Sequence, residues 1–337
     1  MILQENVLLA PLTTFHIGGS ARIFIAARSE KDIEDAIVLA RTRGLPLHVL
    51  GGGSNILVPD AGVDGVVLRI QLAGVAFQND GADTLLVAGA GELWDTVVDA
   101  VGTRGMFGIE NLAGIPGTVG GATVQNIGAY GAELADVFEY ADTIDRTTGV
   151  HARIGKKDAA LAYRTSFFKN NRNCIITAVA LRFSSAGAPN ISYPDLARAR
   201  SAGEPLAAPA DIARAVRAIR AKKFPRNDAE GTAGSFFKNP VVSRELADSL
   251  RARFPDLPTF PQEDGRVKLA LAWLLDHALS LKGYAGGPVR LYEKQPLVVV
   301  ARAGARAHDV EALARHIAER VQKELGIGIE REVELFG

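Results

Sequence analysis

Gly114-Ile-Pro-Gly-Thr-Val-Gly-Gly121 places a glycine at every third position and closes on a pair, and Asn126-Ile-Gly-Ala-Tyr-Gly131 comes shortly after it. Glycine lets main chain approach a neighbour closely and adopts backbone conformations other residues avoid. This much bare backbone suits a long ligand laid along the chain better than a single phosphate. A second such site, Gly51-Gly-Gly-Ser-Asn55, ends the apolar run at 45–50. Successive N–H groups there suit an anion such as a pyrophosphate, with Ser54 and Asn55 adding side-chain donors. It is not a Walker A loop, because no Gly-Lys-Ser/Thr follows. Gly89-Ala-Gly-Glu-Leu-Trp94 begins like a Rossmann fingerprint but has Trp94 where the third glycine belongs, so a Rossmann domain is not expected. Two glycine sites lined by Asn, Thr and Gln point to a bound dinucleotide. A glycine-rich structural loop is the plain alternative.

Outward from these sites, helices and strands alternate. Ser29 reads as an N-cap with Asp32 three residues on, and Ile33, Ala36, Ile37 and Ala40 share a helical face that Gly44 ends. Residues 45–50, 63–70, 85–88 and 179–183 read as strands, and Leu93, Val97 and Val101 mark a second helix. From 184 to 209 the composition shifts to Ser, Ala, Gly and Pro around Tyr193-Pro-Asp-Leu196, which reads as a long loop of functional type. Ile212, Val216 and Ile219 mark a helix whose other face carries Arg214, Arg217 and Arg220, and Pro225 stops it near a domain boundary. Beyond it, a helix is expected over 267–279, an amphipathic helix carries Val310, Leu313, Ile317 and Val321, and a strand is expected over 327–335.

The 337 residues suggest two or three domains, and 47% hydrophobic with 23% charged residues is the balance of an ordinary soluble globular protein. Thirty-eight basic residues match 38 acidic ones, which removes the electrostatic footprint of a nucleic-acid binder. The single cysteine, Cys174, excludes an internal disulfide and reads as a buried strand residue rather than a nucleophile. The six histidines show no metal spacing, so no metal is expected. The N-terminal residues lack a signal-peptide pattern and no segment is apolar for long enough to span a membrane, so a cytoplasmic protein without membrane insertion is expected. No exposed apolar stripe is evident, which favours a monomer.

Gly234-Ser-Phe-Phe-Lys-Asn-Pro240 sets a hydroxyl between a glycine and two aromatics. Ser235 in such a pocket can hand over a proton in a way a hydrated serine cannot. The plain alternative is a tight turn with core aromatics. Tyr163-Arg-Thr-Ser-Phe-Phe-Lys169 offers an arginine that could grip a carboxylate, or a strand with solvated charges.

These motifs in this order, with Thr14-Phe-His-Ile-Gly-Gly-Ser-Ala21 before them and Glu330-Arg-Glu-Val333 after, resemble the UDP-N-acetylenolpyruvoylglucosamine reductase (MurB) family nearly end to end. The resemblance implies an α+β fold: a two-lobed FAD-binding domain of the vanillyl-alcohol-oxidase-like type, with lobes at 1–70 and 71–220, and a C-terminal α+β substrate domain at 221–337. It implies FAD, with NADPH as co-substrate and a UDP-sugar as substrate. No histidine motif for covalent attachment accompanies the glycine sites, so the FAD is expected to be non-covalent. Gly51, Gly52, Gly53, Ser54 and Asn55 would hold it, together with Gly114, Ile115, Pro116, Gly117, Thr118, Gly120, Gly121, Asn126, Gly128 and Tyr130. By the family pattern Arg164, Ser235 and Glu332 are catalytic: Ser235 as proton donor, and Arg164 and Glu332 holding developing carboxylate charge. Tyr193, Lys223, Asn239 and Lys268 match substrate contacts. Phe260, Arg331 and Tyr292 depart from the family's common tyrosine, proline and histidine, which bears on ligand affinity. Another FAD oxidoreductase of the same fold, or a non-catalytic FAD-binding descendant, are the competing readings.

Overall fold

The computed structural model describes residues 1–225 and 230–337. They form two compact units, the first from residues 1–7, 21–53 and 63–220, the second from residues 8–20, 54–62 and 221–337. Each is a mixture of helix and sheet, the α+β character expected.

Besides the two-stranded pair Gly128–Ala129 with Ala132–Glu133, the described residues of the first unit form two larger sheets. In one, the strand order is Leu3–Leu8, Ser20–Ala27, Val63–Ile70, Leu47–Leu50, and the last three run parallel. The helix Glu30–Thr42 makes the crossover, with Ile33, Ala36, Ile37 and Ala40 all buried. Ser29 caps it in a full capping box with Asp32, and Leu45 N–H closes its C-terminal end on Ala40 O at 2.9 Å past Gly44. The other sheet is antiparallel, in the order His151–Gly155, Phe138–Asp145, Cys174–Ser184, Asp83–Gly89, Val75–Asp80. Cys174 opens its central strand but is half-buried rather than enclosed, because it lies at the strand's end.

The turn after Asp145 carries a pH-dependent part of the stability. Asp145 Oδ1 accepts from the Thr147 hydroxyl at 2.5 Å and from the Thr147 and Thr148 amides at 2.9 Å. These bonds favour the carboxylate and hold its pKa at about 2, below the ordinary 3.8. Because the folded pKa is depressed, this stabilisation is complete above the unfolded value and disappears as pH falls through about 2. The stability difference between the wild type and Asp145→Asn should therefore shrink between pH 5 and pH 2. Thermal unfolding across that range checks it, and a pH-independent difference would contradict it.

In the second unit the helix Ala307–Leu325 packs on the strands Ala285–Gly286 and Val289–Tyr292, and its Val310, Leu313, Ala314, Ile317 and Val321 are buried. One sheet orders Val241–Val242, Val267–Leu269, Thr259–Pro261, and another Ala285–Gly286, Val289–Tyr292, Gln295–Ala301. Residues distant in sequence complete this unit. Asp60 accepts from the Ala307 and His308 amides at 2.8 and 3.2 Å, satisfying the long helix's first turn. Thr232 N–H bonds Thr14 O at 2.9 Å, and a Cβ on Gly231 would lie 1.9 Å from Phe15 O.

Three expected elements differ. The loop 184–209 contains the helix Pro194–Ser201, started by a proline at its first position and Asp195 in its first turn. Residues 267–279 are a strand, Val267–Leu269, then a short helix Leu271–Trp273 and a π-helical turn Leu274–Ala278. The terminal strand is only Glu334–Leu335, parallel to Ile56–Leu57.

Candidate active site

In the first unit the two glycine sites meet. A Cβ on Gly52 would lie 2.6 Å from Gly117 Cα and 3.1 Å from Thr118 N, and one on Gly51 would lie 3.0 Å from Thr118 Oγ1. Glycine is needed here so that two main-chain loops can touch. The N–H groups of Val119 and Gly120 are committed to Glu92 O and Ala90 O at 2.9 Å, so the second loop offers fewer free amides than its glycines suggest. Its hydroxyl compensates: Thr118 Oγ1 is buried and has no hydrogen-bond partner among the described residues. A buried donor beside two bare loops matches the oxygen-rich pyrophosphate of a dinucleotide, so these residues fit FAD. Gly89 and Gly91 serve close packing, since a Cβ on either would lie within 2.5 Å of the backbone at 71–72. Trp94, in the position that argued against a Rossmann domain, is fully buried and donates to Leu112 O at 3.0 Å.

The arginine face of the helix Pro209–Lys223 supports this loop. Arg217 forks onto Asp95 at 2.9 and 3.0 Å, and Arg220 Nε donates to Gly114 O at 3.0 Å. Asp95 in turn accepts from Gly114 N at 2.7 Å, so Gly114 is gripped through both its amide and its carbonyl. Burial pushes the Arg220 guanidinium below its usual value, with Tyr130 and Asp95 opposing. The sequence sets Arg220 on one helical face with Arg214 and Arg217, but nothing in that spacing names Gly114 as its partner.

The loop after Gly121 is held by its own side chains. Asn126, fully buried with φ of +43°, donates to Glu133 Oε2 at 3.0 Å and Ala162 O at 2.8 Å, and accepts from Ala135 N at 3.0 Å. Its side chain shapes the loop. Tyr130, φ +50°, packs edge-on against Tyr193 at 5.2 Å, and burial pushes its phenol up to about 12.

Arg164 lies in a tight turn closed by two bonds between Ala162 and Thr165, at 3.0 and 3.1 Å. Its φ of +55° is a conformation that costs a non-glycine residue about 1–2 kcal/mol. Nη2 donates to Gly128 O at 2.6 Å, and Lys169 Nζ ties the Arg164 carbonyl (3.3 Å) to Gln125 Oε1 (2.7 Å). Ser166 caps the following short helix and donates to Val124 O at 2.7 Å. A strained backbone held by several bonds around a cation is the pattern of a functional position.

In the second unit Gly234, with φ of +76°, precedes Ser235. The pairings Gly231 with Ala301 and Ser235 with Val298 differ by one residue in register, so a bulge lies between them. Thr232, buried and not singled out from sequence, sets it: its hydroxyl donates to Val299 O at 2.8 Å and accepts from Gly234 N at 3.2 Å. Thr232→Val leaves both groups unpaired and should destabilise the protein by about 1–3 kcal/mol, while Thr232→Ser stays near wild type. Urea unfolding checks this; equal midpoints for Val and Ser would contradict it.

Phe236 and Phe237 are core residues, edge-on to each other at 5.2 Å. Between them they pair the Ser235 segment with residues 330–332: Glu332 N–H bonds Phe236 O at 2.8 Å, Phe237 bridges Arg331, and Lys238 N–H bonds Glu330 O at 3.0 Å. Ser235 and Glu332, both half-buried, thus stand on adjacent extended segments. Asn55 belongs to this unit: its Nδ2 donates to Glu332 O at 3.1 Å and its backbone carbonyl accepts from Glu334 N at 3.1 Å. Asn239 Oδ1 accepts from Leu271 N at 3.0 Å, and Lys268 pairs across the sheet with Phe260 and Val241. Among the described residues no cluster of His, Cys, Asp and Glu could hold a metal, and no helix is long and apolar enough to cross a membrane.

Residues 21–155 match the model of an FAD binding domain, and residues 225–336 match that of the UDP-N-acetylenolpyruvoylglucosamine reductase C-terminal domain. The UDP-N-acetylenolpyruvoylglucosamine reductase of Pseudomonas aeruginosa is 44% identical, covering 99% of both chains. That of Escherichia coli K12 is 37% identical over 98% of this chain and 96% of its own. The crystal structure of MurB from Thermus caldophilus, 27% identical, covers 100% of both chains with a TM-score of 0.67. The fold, the cradle that fits FAD and these full-length similarities agree: the chain belongs to the UDP-N-acetylenolpyruvoylglucosamine reductase family of FAD-dependent oxidoreductases.

Proposed function

We propose that this chain reduces the enolpyruvyl group of UDP-N-acetylglucosamine enolpyruvate to UDP-N-acetylmuramate, with NADPH as hydride source, as a step of peptidoglycan synthesis. The observation that carries this is the pairing of the Ser235 segment with residues 330–332, which sets a hydroxyl and the Glu332 carboxylate on neighbouring extended segments. Gly51, Gly52, Gly53, Gly117, Thr118, Gly120 and Gly121 would hold FAD, non-covalently. The chemistry FAD supplies when bound is carriage of a hydride from NADPH to the methylene carbon, C3, of the enolpyruvyl group. Negative charge then develops toward the substrate carboxylate, where Arg164 offers a permanent cation and Glu332 a hydrogen-bonding partner. Ser235 delivers the proton to C2 and regains one from solvent. Hydride at C3 and proton at C2 turn the methylene double bond into a methyl and a CH, with no other bond made or broken.

Tyr193, Lys223, Asn239 and Lys268 would contact the sugar nucleotide; Asn239, its Oδ1 committed to Leu271, would offer its NH2. In this proposal 1–70 and 71–220 are the lobes that bind FAD, 221–337 is the substrate domain, and the enzyme works as a cytoplasmic monomer. The test is NADPH oxidation with and without UDP-N-acetylglucosamine enolpyruvate. Oxidation should depend on that substrate and yield a product two mass units heavier; oxidation indifferent to it overturns the proposal.

A further inference from the structure

Lys169 lies in the last turn of the short helix Phe167–Asn170 and is half-buried. Its Nζ donates to Gln125 Oε1 at 2.7 Å and to the Arg164 carbonyl at 3.3 Å. Gln125, buried, ends the helix Val119–Gln125, whose N-cap is Thr118 of the cofactor cradle. The reversed amide would set its NH2 against the ammonium, so the orientation of Gln125 follows from Lys169. Neighbouring side chains tie the same two segments together. The Ser166 hydroxyl donates to Val124 O at 2.7 Å, Asn126 Nδ2 to Ala162 O at 2.8 Å, and Arg164 Nη2 to Gly128 O at 2.6 Å. Gly128 suits this packing, since a Cβ there would lie 3.0 Å from Arg164 Nη1. Of these bonds, only that of Lys169 is made to the Arg164 main chain, whose φ of +55° must be held against its strain. A bond from an ammonium is about twice as strong as a neutral one, which suits it to that task.

We infer that Lys169 is a positioning residue: its ammonium ties the strained Arg164 turn to the end of the cradle helix and so fixes where the guanidinium stands. This rests on the proposed role of Arg164 at the substrate carboxylate. A cation already in place stabilises developing negative charge best, because nothing has to reorganise as the charge forms. Without Lys169 the turn takes up other conformations and part of that advantage is lost. Hydride uptake by the flavin does not call on Arg164 and stays as it is.

The test uses the FAD-loaded protein with Lys169→Met, which keeps the apolar stem and removes the ammonium. Lys169→Ala, which lets water reach the freed Gln125 and Arg164 oxygens, carries the same expectations and decides the matter if Lys169→Met does not fold. Flavin content and flavin reduction by NADPH should stay within about twofold of wild type, while reoxidation by saturating UDP-N-acetylglucosamine enolpyruvate slows about tenfold. In an Arg164→Ala background the same substitution should change reoxidation by less than about twofold, because the group it positions is gone. Hydrogen exchange at 162–165 should quicken by about tenfold or more, with exchange at 119–124 unchanged. A further loss of about tenfold on top of Arg164→Ala, an equal slowing of both half-reactions, or exchange at 162–165 equal to wild type overturns the inference. If the reduced wild type is not reoxidised by the sugar nucleotide, the proposed function fails, and the exchange measurement by itself upholds or overturns the hold of Lys169 on the turn.

Discussion

Ser235→Ala is expected to leave flavin reduction by NADPH fast and to slow reoxidation by UDP-N-acetylglucosamine enolpyruvate about 10²–10⁴-fold, the range over which a positioned general acid acts. The two half-reactions make different demands in the proposed mechanism. Hydride uptake from NADPH needs no proton at C2. Reduction of the enolpyruvyl group needs one, and the carbanion character at C2 stays high until it arrives. The substitution removes only an oxygen. The segment keeps its backbone pairing with Val298, and Phe236 keeps its amide bond to Leu297 O at 2.7 Å, so the fold should survive. Stopped-flow absorbance of the two half-reactions separates the outcomes. Equal loss in both would mean that Ser235 is not the proton donor.

Gly52→Ala is the second change of large expected effect, and it strikes the cofactor. The new Cβ would lie 2.6 Å from Gly117 Cα and 3.0 Å from Gly117 C, both main-chain atoms with no rotamer to escape into. Overpacking of this kind costs about 1–3 kcal/mol and is relieved here by parting the two glycine loops. Parting them moves Thr118 away from Gly51 and opens the cradle. FAD affinity should fall by at least about tenfold, the equivalent of 1.4 kcal/mol, and the protein should emerge from desalting with little flavin. Gly155→Ala is the control, because nothing lies within 4 Å of its added Cβ. Flavin absorbance per mole of protein checks both; full occupancy in Gly52→Ala would contradict the cradle.

The parts of this fold that were legible in the sequence are those set by local pattern. Ile33, Ala36, Ile37 and Ala40, or Val310, Leu313, Ile317 and Val321, reveal a helix because one turn repeats the next, and all eight are buried. Residues 267–279 defeated the same reasoning. Val267–Leu269 is a strand only because 241–242 and 259–261 pair with it, which no local periodicity records. The alternation over 327–335 suggested a longer strand than exists, since partners are present for residues 330–332 and 334–335 on different segments. The helix Pro194–Ser201 was readable in principle from Pro194 and Asp195, but the Ser, Ala, Gly and Pro around it obscured it.

The site divides the same way. The glycine loops are visible because glycine is a rare demand on a backbone, and Ser235 because its neighbours are distinctive. The partners of Arg220, Thr232 and Lys169 were not, since each lies far away in the chain. Arg220 holds Gly114, Thr232 holds Val299, and Lys169 holds Gln125. A lone arginine, threonine or lysine carries no pattern that announces such a partner.

The most direct measurement is an anaerobic two-step reaction of the purified flavoprotein. One equivalent of NADPH is added, NADP⁺ is removed, and UDP-N-acetylglucosamine enolpyruvate is then added alone. The account predicts that flavin absorbance is bleached in the first step and returns fully in the second, with one equivalent of UDP-N-acetylmuramate formed. A colourless protein, or a flavin that stays bleached in the presence of the sugar nucleotide, would contradict it.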